Sequence, residues 1–241
     1  LQPMDNEVFR VEGVSKMFGA FQALNDVSLG VRHGEVLAII GPNGAGKTTF
    51  VNIVSGVFGP SRGRVLLEGA DITAFSPQRR TRLGLSRTFQ ITSLFGGMTV
   101  AEHMQLAVRG GDTLGHERAE LLEEMGLAGS APRPVDTLSH GDQRILEMAM
   151  AMATKPKVLL LDEPTAGMSV AETDTMIRLI CDRLRGKVGV IIIEHDMSVV
   201  TQTSDRVTVL AAGAVAASGS PEAVLRDPLV KELYLGSAAG H

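Results

Sequence analysis

The sequence predicts an α/β fold: a buried parallel sheet carrying helices, with a small antiparallel β lobe and a helical lobe beside it. Three observations predict it. The apolar runs "VLAII" (36–40), "VLLL" (158–161) and "VGVIII" (188–193) stop at Gly41, Asp162 and Glu194. Unbroken Val/Ile/Leu runs mark strands buried on both faces, the usual state of a parallel sheet. Helical patterns follow these runs, and strand-then-helix repetition implies right-handed crossovers. Elsewhere, short alternating segments between glycine-rich turns imply antiparallel pairing.

Taken in order, residues 1–5 and 237–241 read as flexible termini around a single domain, 6–236. Residues 6–34 and 63–75, with "FRVEGV" and "RVLLEGADI", form the antiparallel lobe. After the strand at 36–40, "KTTFVNIVSGVF" (47–58) sets Phe50, Val51, Val54 and Val57 on one helix face. Residues 92–154 form the helical lobe: "TVAEHMQLAV", "HERAELLEEMGL" and "SHGDQRILEMAMAMA", broken by "RGGDTLG" (109–115) and "GSAPRPVD" (129–136). The rest is the core. In "VAETDTMIRLICDRL" (170–184), Met176, Ile177, Ile180 and Leu184 share a face, and 205–219 reads as a final hairpin. In open α/β sheets ligands bind at the carboxyl ends of the strands, where the polar residues above lie.

Composition narrows the function. A chain of 241 residues that is 44% hydrophobic supports a large core. A formal net charge of −4 argues against a bulk nucleic-acid binder. The one cysteine, Cys181, cannot form an internal disulfide and fits a reducing compartment, as a buried apolar helix residue. Residues 1–10 lack a secretory pattern, and Met4 is read as the native start. No apolar run approaches the ~20 residues of a spanning helix, so a membrane role runs through a partner.

Residues 41–49, "GPNGAGKTT", fit G-x-x-x-x-G-K-[ST] between a buried strand and a helix. Gly44 and Gly46 allow a tight turn that points N–H groups at phosphate oxygens, and the helix adds its positive end. Lys47 neutralises β/γ-phosphate charge and Thr48 can ligate Mg2+. At the end of "VLLLDEP" (158–164), Asp162 can hold Mg2+ through water, and Glu163 can orient and polarise an attacking water. Two adjacent acids after four apolar residues are costly unless they bind something.

With these motifs in order, the chain resembles the ATP-binding cassette (ABC) ATPases over nearly its whole length. Residues 41–49 resemble Walker A, and 158–163 Walker B. "SRTFQ" (86–90) resembles the Q-loop and puts Gln90 at Mg2+, "LSHGD" (138–142) falls where the LSGGQ signature belongs, and "TAGMS" (165–169) takes the D-loop position. His195 in "IIIEHDM" matches the switch histidine, and Phe18 stands where the family stacks an aromatic on adenine. Alone, His195 reads as a structural histidine, Phe18 as a core residue and Gln90 as an ordinary loop residue.

The resemblance implies a P-loop NTPase (RecA-like) core and ATP hydrolysis by in-line attack of water. Gly41, Pro42, Asn43, Gly44, Ala45, Gly46, Lys47, Thr48 and Thr49 bind the triphosphate, and Phe18 packs on adenine. Thr48, Gln90 and Asp162 order Mg2+. Glu163 orients or deprotonates the water, and His195 holds the γ-phosphate. Two ATPase subunits, identical or paralogous, meet head to tail, so that Ser139, His140, Gly141 and Asp142 cover the partner's ATP.

"GLSRTFQ", "LEMAMA", "EPTAGM", "EHDM" and "ELYLG" resemble ATPase subunits of branched-chain amino-acid importers and their urea/amide relatives. That implies integral membrane permease subunits, indirectly a solute-binding protein, and a peripheral position on the cytoplasmic face of the inner membrane. Two departures stand out: a segment after "TVAEHMQLAV" shortened to "RGGDTLG", and Ser169 in place of the usual acidic or amide residue. A soluble ABC ATPase of translation or repair, an exporter subunit and a small-molecule kinase are the competing readings. A kinase leaves "LSHGD" unexplained, and the absence of sustained heptads or a second phosphate loop disfavours a translation or repair factor.

In "LSHGD" itself, Ser139 reads as a helix N-cap with Asp142 at the capping-box position, leaving the first N–H groups of the helix free to face phosphate. His140 replaces a glycine and would project toward the partner's nucleotide, making that site pH-sensitive.

Overall fold

The structure, a computed structural model, describes residues 6–88, 94–107 and 115–235. Strands β1 (Glu7–Phe18) and β2 (Phe21–Arg32) form a long hairpin. β1 also pairs antiparallel with β4 (Arg62–Leu67), which is followed by β5 (Ala70–Asp71), so the first sheet runs β2-β1-β4-β5. The second sheet comprises β3 (Val36–Ile40), β6 (Leu85–Arg87), β7 (Val158–Asp162), β8 (Gly189–Ile193), β9 (Arg206–Ala211) and β10 (Ala214–Gly219). Its order is β10-β9-β3-β8-β7-β6, and every neighbour pair is parallel except β9–β10.

The strand pleat explains the unbroken apolar runs. Val158, Leu160, Ile191 and Ile193 pack on one side of the sheet, with the first sheet and helix α1 (Lys47–Ser55). Leu159, Leu161, Val190 and Ile192 pack on the other side, against α5 (His140–Ala153) and α6 (Val170–Leu179). Alternate residues thus face two cores, which favours an apolar residue at every position of these runs.

Between β6 and β7 the chain leaves the sheet for α3 (Val100–Ala107), α4 (Gly115–Glu124) and α5. Helices α2 (Pro77–Leu83), α7 (Met197–Thr203), α8 (Pro221–Arg226) and α9 (Pro228–Leu235) complete the described residues. No helix among them is long and apolar enough to cross a membrane.

Three expectations need correction. The helix expected over 47–58 stops at Ser55, where Gly56 adopts φ +82° and turns the chain; Val57 lies beyond it and is exposed. The helix expected over 170–184 continues past Leu179 as a π-type turn, Ile180–Leu184. Cys181 on that turn is only partly buried, and its thiol donates to the Gln202 carbonyl at 3.5 Å.

Arg80 fixes the far end of α1. It is 1% exposed and donates to the carbonyls of Ile53, Val54, Thr73 and Phe75. A cation there satisfies carbonyls that a helix end leaves unpaired and meets its negative pole. Burial pushes the guanidinium down to about 10, with Asp71 pulling it back up, so it stays charged at neutral pH.

Candidate active site

Sheet register brings the candidate residues to one edge. Ile193 in β8 pairs with Ile39 in β3 and with Asp162 in β7. The residues just past these strands, Gly41, Glu163 and Glu194–His195, therefore leave the sheet side by side. The ladder continues one step further, with the Glu163 N–H donating to the Ile193 carbonyl at 2.9 Å and Glu194 N–H to that of Ile39 at 3.4 Å.

The phosphate loop connects β3 to α1. Gly41 sits at φ +153°, and a Cβ there would lie 2.1 Å from the Leu210 carbonyl oxygen. Gly46, the N-cap of α1, has φ +99°, and a Cβ would meet the Ala23 carbonyl at 2.7 Å. Only glycine fits these positions. Helix α1 starts with no side-chain cap and no acidic residue in its first turn, so its positive end is not neutralised locally. The Lys47 ammonium donates to the carbonyls of Gly41 and Pro42. Burial lowers its pKa, while the Glu163 charge raises it. Asn43, Gly44 and Thr48 are exposed, Ala45 is buried, and Pro42 and Thr49 are half-buried.

Asp162 is buried, and Arg87 donates to its Oδ2 at 2.8 Å. Arg87 also reaches Asn52 Oδ1 (3.0 Å) and Ser55 Oγ (3.1 Å) on α1. One guanidinium thus ties the strand-end carboxylate to the helix behind the phosphate loop. Burial pushes the Asp162 carboxyl up, against the pull of Arg87. Glu163 holds φ +49°, a left-handed conformation costing a non-glycine residue about 1–3 kcal/mol, of the sort concentrated at functional sites.

His195 is 65% exposed at the side chain, and its loop is anchored by the fully buried Glu194. The Glu194 carboxylate accepts the Thr165 hydroxyl at 2.6 Å, the Thr165 N–H at 3.3 Å and the His195 N–H at 3.1 Å. The segment after Glu163 and the His195 loop are therefore held by one carboxylate.

At the signature, Ser139 caps α5 and accepts the Asp142 N–H at 3.1 Å. The reciprocal box forms elsewhere: Ser169 caps α6, and Glu172 bonds back to the Ser169 N–H and hydroxyl. The same carboxylate accepts the Gly141 N–H at 3.0 Å. The expectation that the first N–H groups of α5 are free fails at this position. His140 is exposed, and its ring lies beside Gly167.

Phe18, at the tip of the β1–β2 hairpin, is 47% exposed; its ring meets Phe58 edge-on at 5.6 Å, with the Lys16 ammonium 5.2 Å away. Phe21, which the motif reading passed over, is 66% exposed on the same hairpin. Gln90 lies outside the described residues. Arg87, Glu172 and Glu194 were also missed. The signal for Glu194 was a carboxylate closing a buried apolar run, and that for Glu172 was the S-x-x-E capping-box spacing from Ser169; Arg87 had none. The described residues hold no cluster of three or more His, Cys, Asp or Glu that could bind a metal by itself. Thr48 and Asp162 offer hydroxyl and carboxylate oxygens, which suit an ion bound jointly with phosphate.

The pattern of the ABC transporter family matches residues 24–166, more than half of the chain. The high-affinity branched-chain amino acid transport ATP-binding protein BraF of Pseudomonas aeruginosa is 39% identical over 98% of this chain and its own full length. The corresponding protein LivG of Escherichia coli is 37% identical over the same shares. These alignments span 255 residues against the 241 here, so the relatives carry extra residues. A crystal structure of an ATP-binding cassette of an ABC transporter in its ADP conformation superposes with a TM-score of 0.89 at 31% identity, covering 95% of this chain and 99% of that one.

Proposed function

The chain belongs to the ABC transporter family as an ATP-hydrolysing, nucleotide-binding subunit, and on that premise we propose that it powers a branched-chain amino-acid importer. The observation that carries the reading is the meeting of the phosphate loop, Asp162–Glu163 and His195 at one sheet edge, set by Ile193 facing both Ile39 and Asp162. The solute class is supported by BraF and LivG, whose names state it.

In the proposed reaction the loop N–H groups and Lys47 hold the triphosphate in place. Glu163 orients the water in line with the γ-phosphorus and takes its proton as the P–O bond to ADP breaks, and His195 donates to the γ-phosphate. Catalysis is mostly positioning and charge stabilisation. Thr48 and Asp162 would hold Mg2+, with Gln90 a further ligand; the bound ion neutralises charge on the phosphate oxygens. Phe18 covers adenine. A second ATPase subunit, identical or paralogous, docks head to tail, and each signature completes the other's site.

Partners in the membrane follow from the same reading. A cleft of about 790 Å³ between α2, α3, α4 and the end of α5 is lined by Leu106, Leu121 and Met152, with Arg82, Arg118 and Glu120 among its charged residues. It suits a cytoplasmic segment of a permease subunit, which would hold the chain on the inner membrane face. Detergent extraction and mass spectrometry test the assignment: permease subunits should co-purify, and ATP hydrolysis should rise when a solute-binding protein loaded with a branched-chain amino acid is added. Co-purification with ribosomes or DNA instead would overturn it.

A further inference from the structure

Glu172 lies outside every nucleotide motif in the sequence, yet its carboxylate occupies the signature from within the subunit. Oε1 accepts the Gly141 N–H at 3.0 Å; Oε2 accepts the Ser169 N–H at 2.9 Å and the Ser169 hydroxyl at 2.8 Å. The Ser139 hydroxyl helps to hold the pKa of this carboxyl down. The approach depends on the glycine: a Cβ on residue 141 would lie 2.6 Å from Glu172 Cγ and 2.7 Å from Oε1. The Ser169 hydrogen bonds, then those from Gly141 and Ser139, hold the carboxyl down at about 2, so it is an anion at any physiological pH.

Ser139 and Gly141 are the donors that, on the head-to-tail reading above, meet the partner's γ-phosphate. We infer that Glu172 is a positioning residue whose carboxylate stands on the Gly141 donor, beside Ser139, until the partner's γ-phosphate displaces it. The inference rests on that reading of the dimer. One N–H serves one strong acceptor, and two anions on the same donors repel. The carboxylate must therefore leave as the phosphate arrives, which sets the ATP concentration at which the pair closes. Its departure also opens the Ser169–Glu172 capping box, so the start of α6 registers what the partner has bound. A carboxylate with no role beyond capping α6 would leave the ATP dependence of pairing untouched.

The test uses the Glu163→Gln chain, which should hold ATP without turnover, alone and with the ATPase subunit that co-purifies with it. Light scattering follows association across an ATP titration, with and without Glu172→Gln. The amide keeps a carbonyl acceptor for the cap but removes the charge. The expected result is an ATP midpoint for association lowered about five- to tenfold, a typical allosteric coupling, with single-chain ATP affinity unchanged. A midpoint that is unchanged or higher, whatever the melting temperature does, overturns the inference alone. If neither form associates at any ATP concentration, the head-to-tail reading falls and the inference with it. Glu172→Asp, charged but one methylene shorter, should fall between the two. A midpoint equal to that of the Glu172-containing chain would show that reach to Gly141 plays no part, and would also overturn it.

Discussion

Two helices in this fold have N-termini that the proposed mechanism sets against phosphate, and they are furnished in opposite ways. Helix α1 begins at Gly46 with no side-chain cap and no acid in its first turn. Helix α5 begins behind Ser139, carries Asp142 in its first turn and receives Glu172 on the Gly141 N–H. The positive end of α1 is left for an external anion, and Lys47 waits on the carbonyls of its own loop. That of α5 is already satisfied inside the chain. The first end is suited to holding a nucleotide, the second to exchanging one anion for another.

The largest test falls on the α1 side. Glu163→Gln should leave ATP binding intact and lower turnover of the assembled complex by about 10²–10⁴-fold, measured as phosphate release; near-normal turnover would exclude Glu163 as the base. Next comes the support of α1 from behind. Arg80→Leu strips the donor from four carbonyls and should cost about 2–3 kcal/mol. Thermal melting reads this as roughly 2–4 °C per kcal/mol, and an unchanged midpoint would mean that water replaces the guanidinium.

Lys47→Ala isolates the charge at the phosphate loop. ATP affinity should fall about tenfold or more, about 1.4 kcal/mol; an unchanged calorimetric titration would refute the assigned role. The smallest effect belongs to the α5 side. Ser169→Ala removes the N-cap of α6 and should cost about 1 kcal/mol of stability. Single-chain ATP affinity should stay the same, because that contact lies away from the phosphate loop. A drop in affinity would erase the distinction drawn between the two helix ends.

The two ends also differ in how far the sequence discloses them. The α1 end was legible because the residues that offer its phosphate-binding groups lie within nine consecutive positions. "LSHGD" gave its Ser139 cap for the same reason. The acceptor on Gly141 comes from 31 residues away, the carboxylate on Thr165 from 29, and the guanidinium on Asp162 from 75. Such contacts leave no periodicity to read. The expected box between Ser139 and Asp142 illustrates this: capping chemistry was rightly sensed, but a longer acid on the neighbouring helix completes its own box and reaches across.

By itself the sequence determined the element types, the doubly buried strands, the phosphate loop and the acids closing the strands. Each depends on neighbours two to four residues apart along the chain, where side-chain direction is fixed by local geometry. Only the tertiary structure decided that Ile193 faces both Ile39 and Asp162, that Arg80 closes α1, that Glu194 joins Thr165 to His195, and that Glu172 lies on the signature. Those pairings are settled by how elements distant in sequence pack, because a buried or helix-end polar group takes whichever partner the packing delivers.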